Sequence, residues 1–181
     1  TTGGENVFLG ISAGGNTTDV DKAVLIGGGA GTGVLTSAAD GTVAIGYTAG
    51  AAITSGANNL AIGHEALKTN TTGHSNIAIG YGVMDDTDAG SNSLDSDHNV
   101  FIGNGAGSGT WTDAKSEYNT VVGNNALAGA LEAAVYNVGL GYRAGQSLTA
   151  GDSNVIIGGI SGNNITSGLR NVVIGYNAAT T

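Results

Sequence analysis

A five-residue phrase recurs ten times along this chain, and no other feature constrains its fold as much. The copies read NVFLG from Asn6, AVLIG from Ala23, TVAIG from Thr42, NLAIG from Asn59, NIAIG from Asn76, NVFIG from Asn99, NTVVG from Asn119, NVGLG from Asn137, NVIIG from Asn154 and NVVIG from Asn171. Their glycines stand at positions 10, 27, 46, 63, 80, 103, 123, 141, 158 and 175, so the commonest interval is 17 residues and every other interval is longer. A minimum spacing with insertions but no deletions is the mark of a stacked coil, because extra residues are accommodated only by bulging outward as loops. A second half-motif lies between copies: ITSG at Ile53–Gly56, NTTG at Asn70–Gly73, LTAG at Leu148–Gly151 and ITSG at Ile165–Gly168. Each unit therefore predicts a strand, a tight turn, a shorter strand and a second turn.

The residue types fit that unit. Val-x-Ile places two large apolar side chains on one strand face, and the following Gly permits the positive φ of a turn. The Ala three residues later suits a tight corner. Asn opens eight of the ten copies; it tolerates left-handed φ or bonds the local backbone, and stacked at the strand spacing of ~4.8 Å it can form a side-chain ladder. Proline, which would remove a ladder donor on every rung, is absent. Gly129–Tyr136 could make a turn of helix inside an enlarged rung. With Val and Ile assigned to the chain's own interior, the middle residue of Val-x-Ile points the other way. That position holds Phe8, Leu25, Ala44, Ala61, Ala78, Phe101, Val121, Gly139, Ile156 and Val173, none of them polar. A lone solenoid should be polar there, so this row, Gly139 aside, is expected to be the interface of a homotrimer.

Composition points the same way. Only 10 % of residues are charged against 40 % apolar, and Gly accounts for 34 of 181. Such a chain is too apolar for disorder and too poor in charge to coat a solitary domain. A net charge of −9 repels phosphate backbones and argues against nucleic-acid binding. Without cysteine, disulfides and Cys-ligated zinc are excluded. No apolar run approaches the ~18 residues of a membrane span. The chain has no initiator Met and starts inside the pattern, which predicts a piece of a longer protein. The expected fold is all-β: a parallel β-roll or β-solenoid of about ten rungs, a single repeat domain over 1–181, with enlarged rungs at 81–99, 104–119 and 124–137.

The pattern Asn-Val-Ala-Ile-Gly-x-x-Ala resembles the head repeat of trimeric autotransporter adhesins, and the fuller unit NLAIGHEALKTNTTG resembles repeats of bacteriophage tail-fibre and other virion fibre proteins. The resemblance runs from Asn6 to Ala178. It implies an intertwined or side-by-side homotrimer of left-handed rolls, although the commonly 17-residue rung is longer than in adhesin heads. It implies a non-enzymatic structural segment of a virion tail or surface fibre that spaces or displays receptor binding. Its partners would be further copies of itself, other fibre or appendage proteins, and a cell-surface glycan or protein receptor. The alternative is the head of a bacterial surface adhesin binding host matrix or glycans. Lower stands a polysaccharide-degrading β-helix, since two carboxylates suffice for glycoside hydrolysis; an ice-binding solenoid would need regular Thr-x-Thr ranks.

Individual site candidates are few. IGGGAGTG at Ile26–Gly33 has glycine spacing like a phosphate loop, but the following helix and acid of a dinucleotide site are missing. Asp85, Asp86, Asp88, Asp95 and Asp97 crowd the longest rung and offer oxygen ligands for Ca²⁺, without the Asp-x-Asx-x-Asx-Gly spacing; a solvated acidic loop is the competing reading. His64, His74 and His98 follow no metal-ligand spacing. No catalytic residue, other cofactor or other metal site is expected. Trp111 and Tyr118 are the recognition candidates, either exposed as anchors for a sugar or a partner or packing an enlarged loop onto the roll. Tyr47, Tyr81, Tyr142 and Tyr176 each follow a repeat glycine, which suggests structural stacking.

Overall fold

The computed structural model describes residues 3–87, 95–112 and 114–180. Every copy of the phrase contributes one three-residue strand. They are β1 (Val7–Leu9), β2 (Val24–Ile26), β3 (Val43–Ile45), β4 (Leu60–Ile62), β5 (Ile77–Ile79), β6 (Val100–Ile102), β7 (Thr120–Val122), β8 (Val138–Leu140), β9 (Val155–Ile157) and β10 (Val172–Ile174). All ten pair in parallel and in sequence order within one sheet, equivalent residues opposite one another, as Ala61 opposite Ala78. Parallel neighbours that are also consecutive in sequence require the chain to circle back after each strand. The molecule is thus a β-solenoid, with a rung numbered for each strand. Nine inter-strand steps of ~4.8 Å make the sheet about 43 Å long.

The strands are short because each ends in a conformation only glycine takes easily. The glycine after every strand has φ between +126° and +149°, and a Cβ on Gly63 would lie 2.1 Å from the Gly80 carbonyl oxygen of the next rung. Close stacking and positive φ both demand glycine here. The residue before the Asn position is left-handed in all ten rungs, though only Gly41 among them is glycine; Tyr118 has φ 58° and Tyr136 φ 59°. The sequence allowed left-handed φ at the Asn itself. Instead the preceding residue turns the corner, and the Asn is free to build the ladder.

That ladder is continuous from rung 4 onward. Asn59 Oδ1 accepts the Asn76 amide, Asn76 Oδ1 accepts the Asn99 amide, and so on through Asn119, Asn137 and Asn154 to Asn171. From Asn59 to Asn154 each Nδ2 donates to a backbone carbonyl across the coil, for example Asn119 to Ala134 and Asn137 to Gly151, whereas Asn171 Nδ2 donates to Asn154 Oδ1. At rung 3 the Thr42 hydroxyl takes this second role, donating to Ala39 and Gly56 carbonyls. The buried asparagines of the ladder survive because each is hydrogen-bonded to its neighbours.

The opposite side of the coil is less regular than the shorter strand expected of it. It is tied by single rung-to-rung bonds, such as Thr54 N–H to the Thr71 carbonyl and Thr149 N–H to that of Thr166, and by isolated bridges at Glu117–Val135 and Ala150–Ser167. No helix forms over 129–136; the described helical turn is Ser37–Ala39, capped by the Thr36 hydroxyl.

The expected faces of the strands are reversed. The middle residue points into the chain's own core, and the flanking Val and Ile point outward. Leu25, Ala44, Ala61, Ala78, Phe101, Val121 and Ile156 are wholly enclosed within the single coil, Val173 nearly so, and Phe8 packs against the same core from rung 1. They are therefore not interface residues. Their unequal sizes, read from sequence as an interface of varying width, have an internal reason. Where the middle residue is large, the corner residue six positions later is glycine: a Cβ on Gly31 would meet Leu25, on Gly107 Phe101, and on Gly162 Ile156. Where it is alanine in rungs 4 and 5, the corner residue is Leu67 or Met84, fully buried. At rung 8, Gly139 makes room for Leu127 of rung 7. At native packing density the two positions trade bulk in these rungs, while in rung 3, where Ala44 and Gly50 are both small, Ile53 fills the space.

Candidate functional site: the outer face of the sheet

With the middle residues inside, the outward face of the sheet carries two apolar residues per strand, and only Thr120 among them is not a large hydrophobe. Exposure is greatest at the ends, with Val172 at 70 %, and the columns shield one another in between. Two borders flank this face. The leading border is the left-handed residue before each Asn position, and the trailing border is the residue after each repeat glycine.

Both borders bear stacked rings. On the trailing border His64 lies between Tyr47 and Tyr81, centroids 5.1 and 5.0 Å away. On the leading border His98, Tyr118 and Tyr136 stack at 5.1 and 5.2 Å. The spacing follows from the rung repeat, because equivalent side chains of parallel strands sit one above another. Tyr47 and Tyr81 thus have the stacking role their recurrence suggested. Tyr142 instead lies under the Arg143 guanidinium, and Tyr176, on the terminal rung, is the most exposed of them.

The two recognition candidates part company. Trp111 is fully buried and tilts against Phe101, ring centroids 5.7 Å apart. It belongs to an inward column on the side of the coil opposite the sheet, with Ile53, Leu131 and Leu148 as buried members in other rungs. Packing, not recognition, is its role. Tyr118 remains accessible on the leading border, between His98 and Tyr136.

The acidic candidates serve rung-to-rung bonding. Asp86 Oδ2 accepts the Thr110 hydroxyl, Asp95 Oδ1 that of Thr72, and Asp97 Oδ1 the His74 amide. Asp85 has a buried Oδ1 without a partner, and burial, ahead of its neighbours Asp86 and Glu65, raises it above the usual 3.8. Asp88 lies outside the described residues. Among the described residues no three His, Asp or Glu side chains gather in a way that would hold a metal ion. His74 Nδ1 accepts the Ala57 amide, another corner bond. Elsewhere Asp21, Asp40 and Asp152 accept the amide of the preceding rung in the same manner, and Glu132 accepts the Thr112 hydroxyl. The glycine-rich stretch from Ile26 to Gly33 is the end of β2 and a corner around Leu25, followed by the single helical turn Ser37–Ala39 and then β3.

No protein-family profile, curated protein or solved structure matches the chain. The site is thus defined by its own geometry: an uncharged apolar face bordered by stacked rings in rungs 3 to 5 on one side and rungs 6 to 8 on the other. Sequence reasoning found that both strand faces are apolar but misassigned them, and it missed the leading-border ladder. The signal for that ladder was present as His98, Tyr118 and Tyr136, each immediately before an Asn.

Proposed function

We propose that this chain is a structural segment of a fibrous appendage, of the phage tail-fibre or virion-fibre kind, and that it works as a homotrimer joined through the outer face of its sheet. The observation that carries the reading is the size of that face. Three-residue strands make an apolar strip about 10 Å wide along the ~43 Å sheet, roughly 430 Å² per copy, and the ring-bearing borders widen it on both sides. The largest apolar patch on a solitary protein is about 300–600 Å² and often functional, and this strip lies in that range without its borders; with them it approaches the ~800 Å² that each partner gives to a stable interface. Three copies about a common axis would bury these faces against one another and make a stiff rod whose strands run across its length. The role is mechanical: ladder bonds and buried apolar columns resist bending and unravelling, and the rod spaces or displays a receptor-binding part. Sedimentation equilibrium tests the reading. Three copies of the 17.5 kDa chain give a particle of about 52 kDa; a stable monomer at micromolar concentration overturns it.

A further inference from the structure

Tyr118 and Tyr136 occupy the same position in consecutive rungs, each just before the Asn of its strand. Their rings are inclined by only 10°, with centroids 5.2 Å apart. The backbone holds them in register. Both residues are left-handed, at φ 58° and 59°. The Tyr118 amide donates to the Asp97 carbonyl and the Tyr136 amide to that of Glu117. The adjoining Asn119 and Asn137 are bonded to each other. Yet the rings stay open, at 45 % and 59 % exposure. The other four tyrosines have no tyrosine beside them. His64 stands between Tyr47 and Tyr81. Tyr142 lies between Asn124 and Gly159 on the trailing border, and Tyr176 follows Gly159.

We propose that Tyr118 and Tyr136 are an oxidative coupling site, at which a peroxide-derived one-electron oxidant joins rungs 7 and 8 through a dityrosine bond. Each phenol gives up one electron and its hydroxyl proton and becomes a phenoxyl radical. The unpaired electron is shared with the ring carbons beside the oxygen. One Cε of each ring pairs with the other, and the carbon–carbon bond forms. Each of those carbons then loses its hydrogen as a proton while its own oxygen regains one, so both phenols are restored. In all, two electrons and two protons leave the pair, and one hydrogen peroxide takes them up as two waters. Coupling requires two radicals to meet before either is quenched, and stacking in a fixed register supplies that encounter in advance. Exposed side chains turn within nanoseconds, which lets the two Cε atoms close the remaining gap. The border is the rim of the outer face, where small solutes keep access in an assembly as in a single copy. The site belongs to one chain and does not depend on how many copies associate. Its place in the stack gives the bond a use. Rung 8 brings only Gly139 to the middle of its strand, and the chain has no cysteine with which to staple its rungs. The new bond closes a loop of about 18 residues and so restricts the unfolded chain.

The test is oxidation of the whole chain by a haem peroxidase with hydrogen peroxide. The expected product shows blue dityrosine fluorescence, is two hydrogens lighter, runs as a single chain on a denaturing gel and melts several degrees higher. Cleavage after Glu117 and Glu132 should leave the peptide that begins at Tyr118 joined to the one that begins at Ala133. Tyr118→Phe and Tyr136→Phe keep the stacked rings, and each should lower the fluorescence about tenfold or more. Tyr118→Phe/His64→Tyr, which sets adjacent tyrosines on the other border, should restore it. Fluorescence that survives both phenylalanine variants, that arises only in species of two or more chains, or that never develops overturns the proposal.

Discussion

At the scale of single residues, the interior of the coil is well filled but not fully satisfied in hydrogen bonding. Thr87 sits in the same inward column as Trp111, and both bury a polar atom, Thr87 Oγ1 and Trp111 Nε1, without a partner. A lone buried hydroxyl costs about 1–3 kcal/mol. Thr87→Val keeps the shape and removes the hydroxyl, while its amide still donates to Thr69 Oγ1; thermal melting should rise by about 2–4 °C. Trp111→Ala, by contrast, empties the core beside Phe101 and should cost about 3–5 kcal/mol. An exposed recognition residue would cost almost nothing, so the same melt separates the two readings of Trp111. Asp85 supplies a pH test. Its folded carboxyl holds a proton more tightly than the unfolded one, so ionisation destabilises the fold. Stability from this group is complete below 3.8 and is lost as pH rises through the raised value. Asp85→Asn should therefore melt above the parent protein at pH 7, the difference vanishing as pH approaches 3.8.

At the scale of the repeating element, two positions hold the rungs together. Asn119 donates twice from its Nδ2, to Asn99 Oδ1 and the Ala134 carbonyl, and its Oδ1 receives both the amide and the Nδ2 of Asn137. Asn119→Ala orphans groups on both sides and should destabilise by at least about 3 kcal/mol in chemical denaturation. Asn6→Ala, at the half-buried first rung where the side chain donates to Val20 and accepts from Ala23, should cost about 1 kcal/mol. The corner glycine is the second position: Gly63→Ala puts a methyl group against the Gly80 carbonyl and should cost more than the same change at Gly4, whose Cβ would meet only the Asp21 side chain at 3.9 Å. Much of this element was legible in the sequence. The strands, their parallel register, the glycine corners and the Asn ladder all follow from a phrase repeated at a near-constant interval. The left-handed residue before each Asn was not, because Glu, Lys, Ser, His, Tyr and Arg hold that conformation here against their own preference, imposed by the stacked neighbours.

At the scale of the whole molecule, the outer face should be separable from the fold. Ile77 and Ile79 flank the buried Ala78 on β5 and point outward. Ile77→Lys/Ile79→Lys should leave the circular dichroism spectrum unchanged and abolish association, whereas Ala78→Lys should unfold the chain. The parent's melting temperature should rise with protein concentration, since assembly stabilises the folded state by mass action, and the double lysine variant's should not.

The sequence by itself determined that this chain is a stack of ten parallel rungs and that both faces of its strands are apolar. Only the tertiary structure decided which face is the inside. The physical reason is that a period of two separates the faces of a strand without giving either a direction, and polarity, the usual guide, is missing from both. Direction came from corner geometry and from volume: the coil closes around the middle residue because Gly31, Gly107 and Gly162 leave room for large ones, and Leu67 and Met84 fill in behind small ones. Trp111 moved from candidate anchor to core for the same reason, since its rung places it beside Phe101 at a distance in sequence that no local pattern encodes.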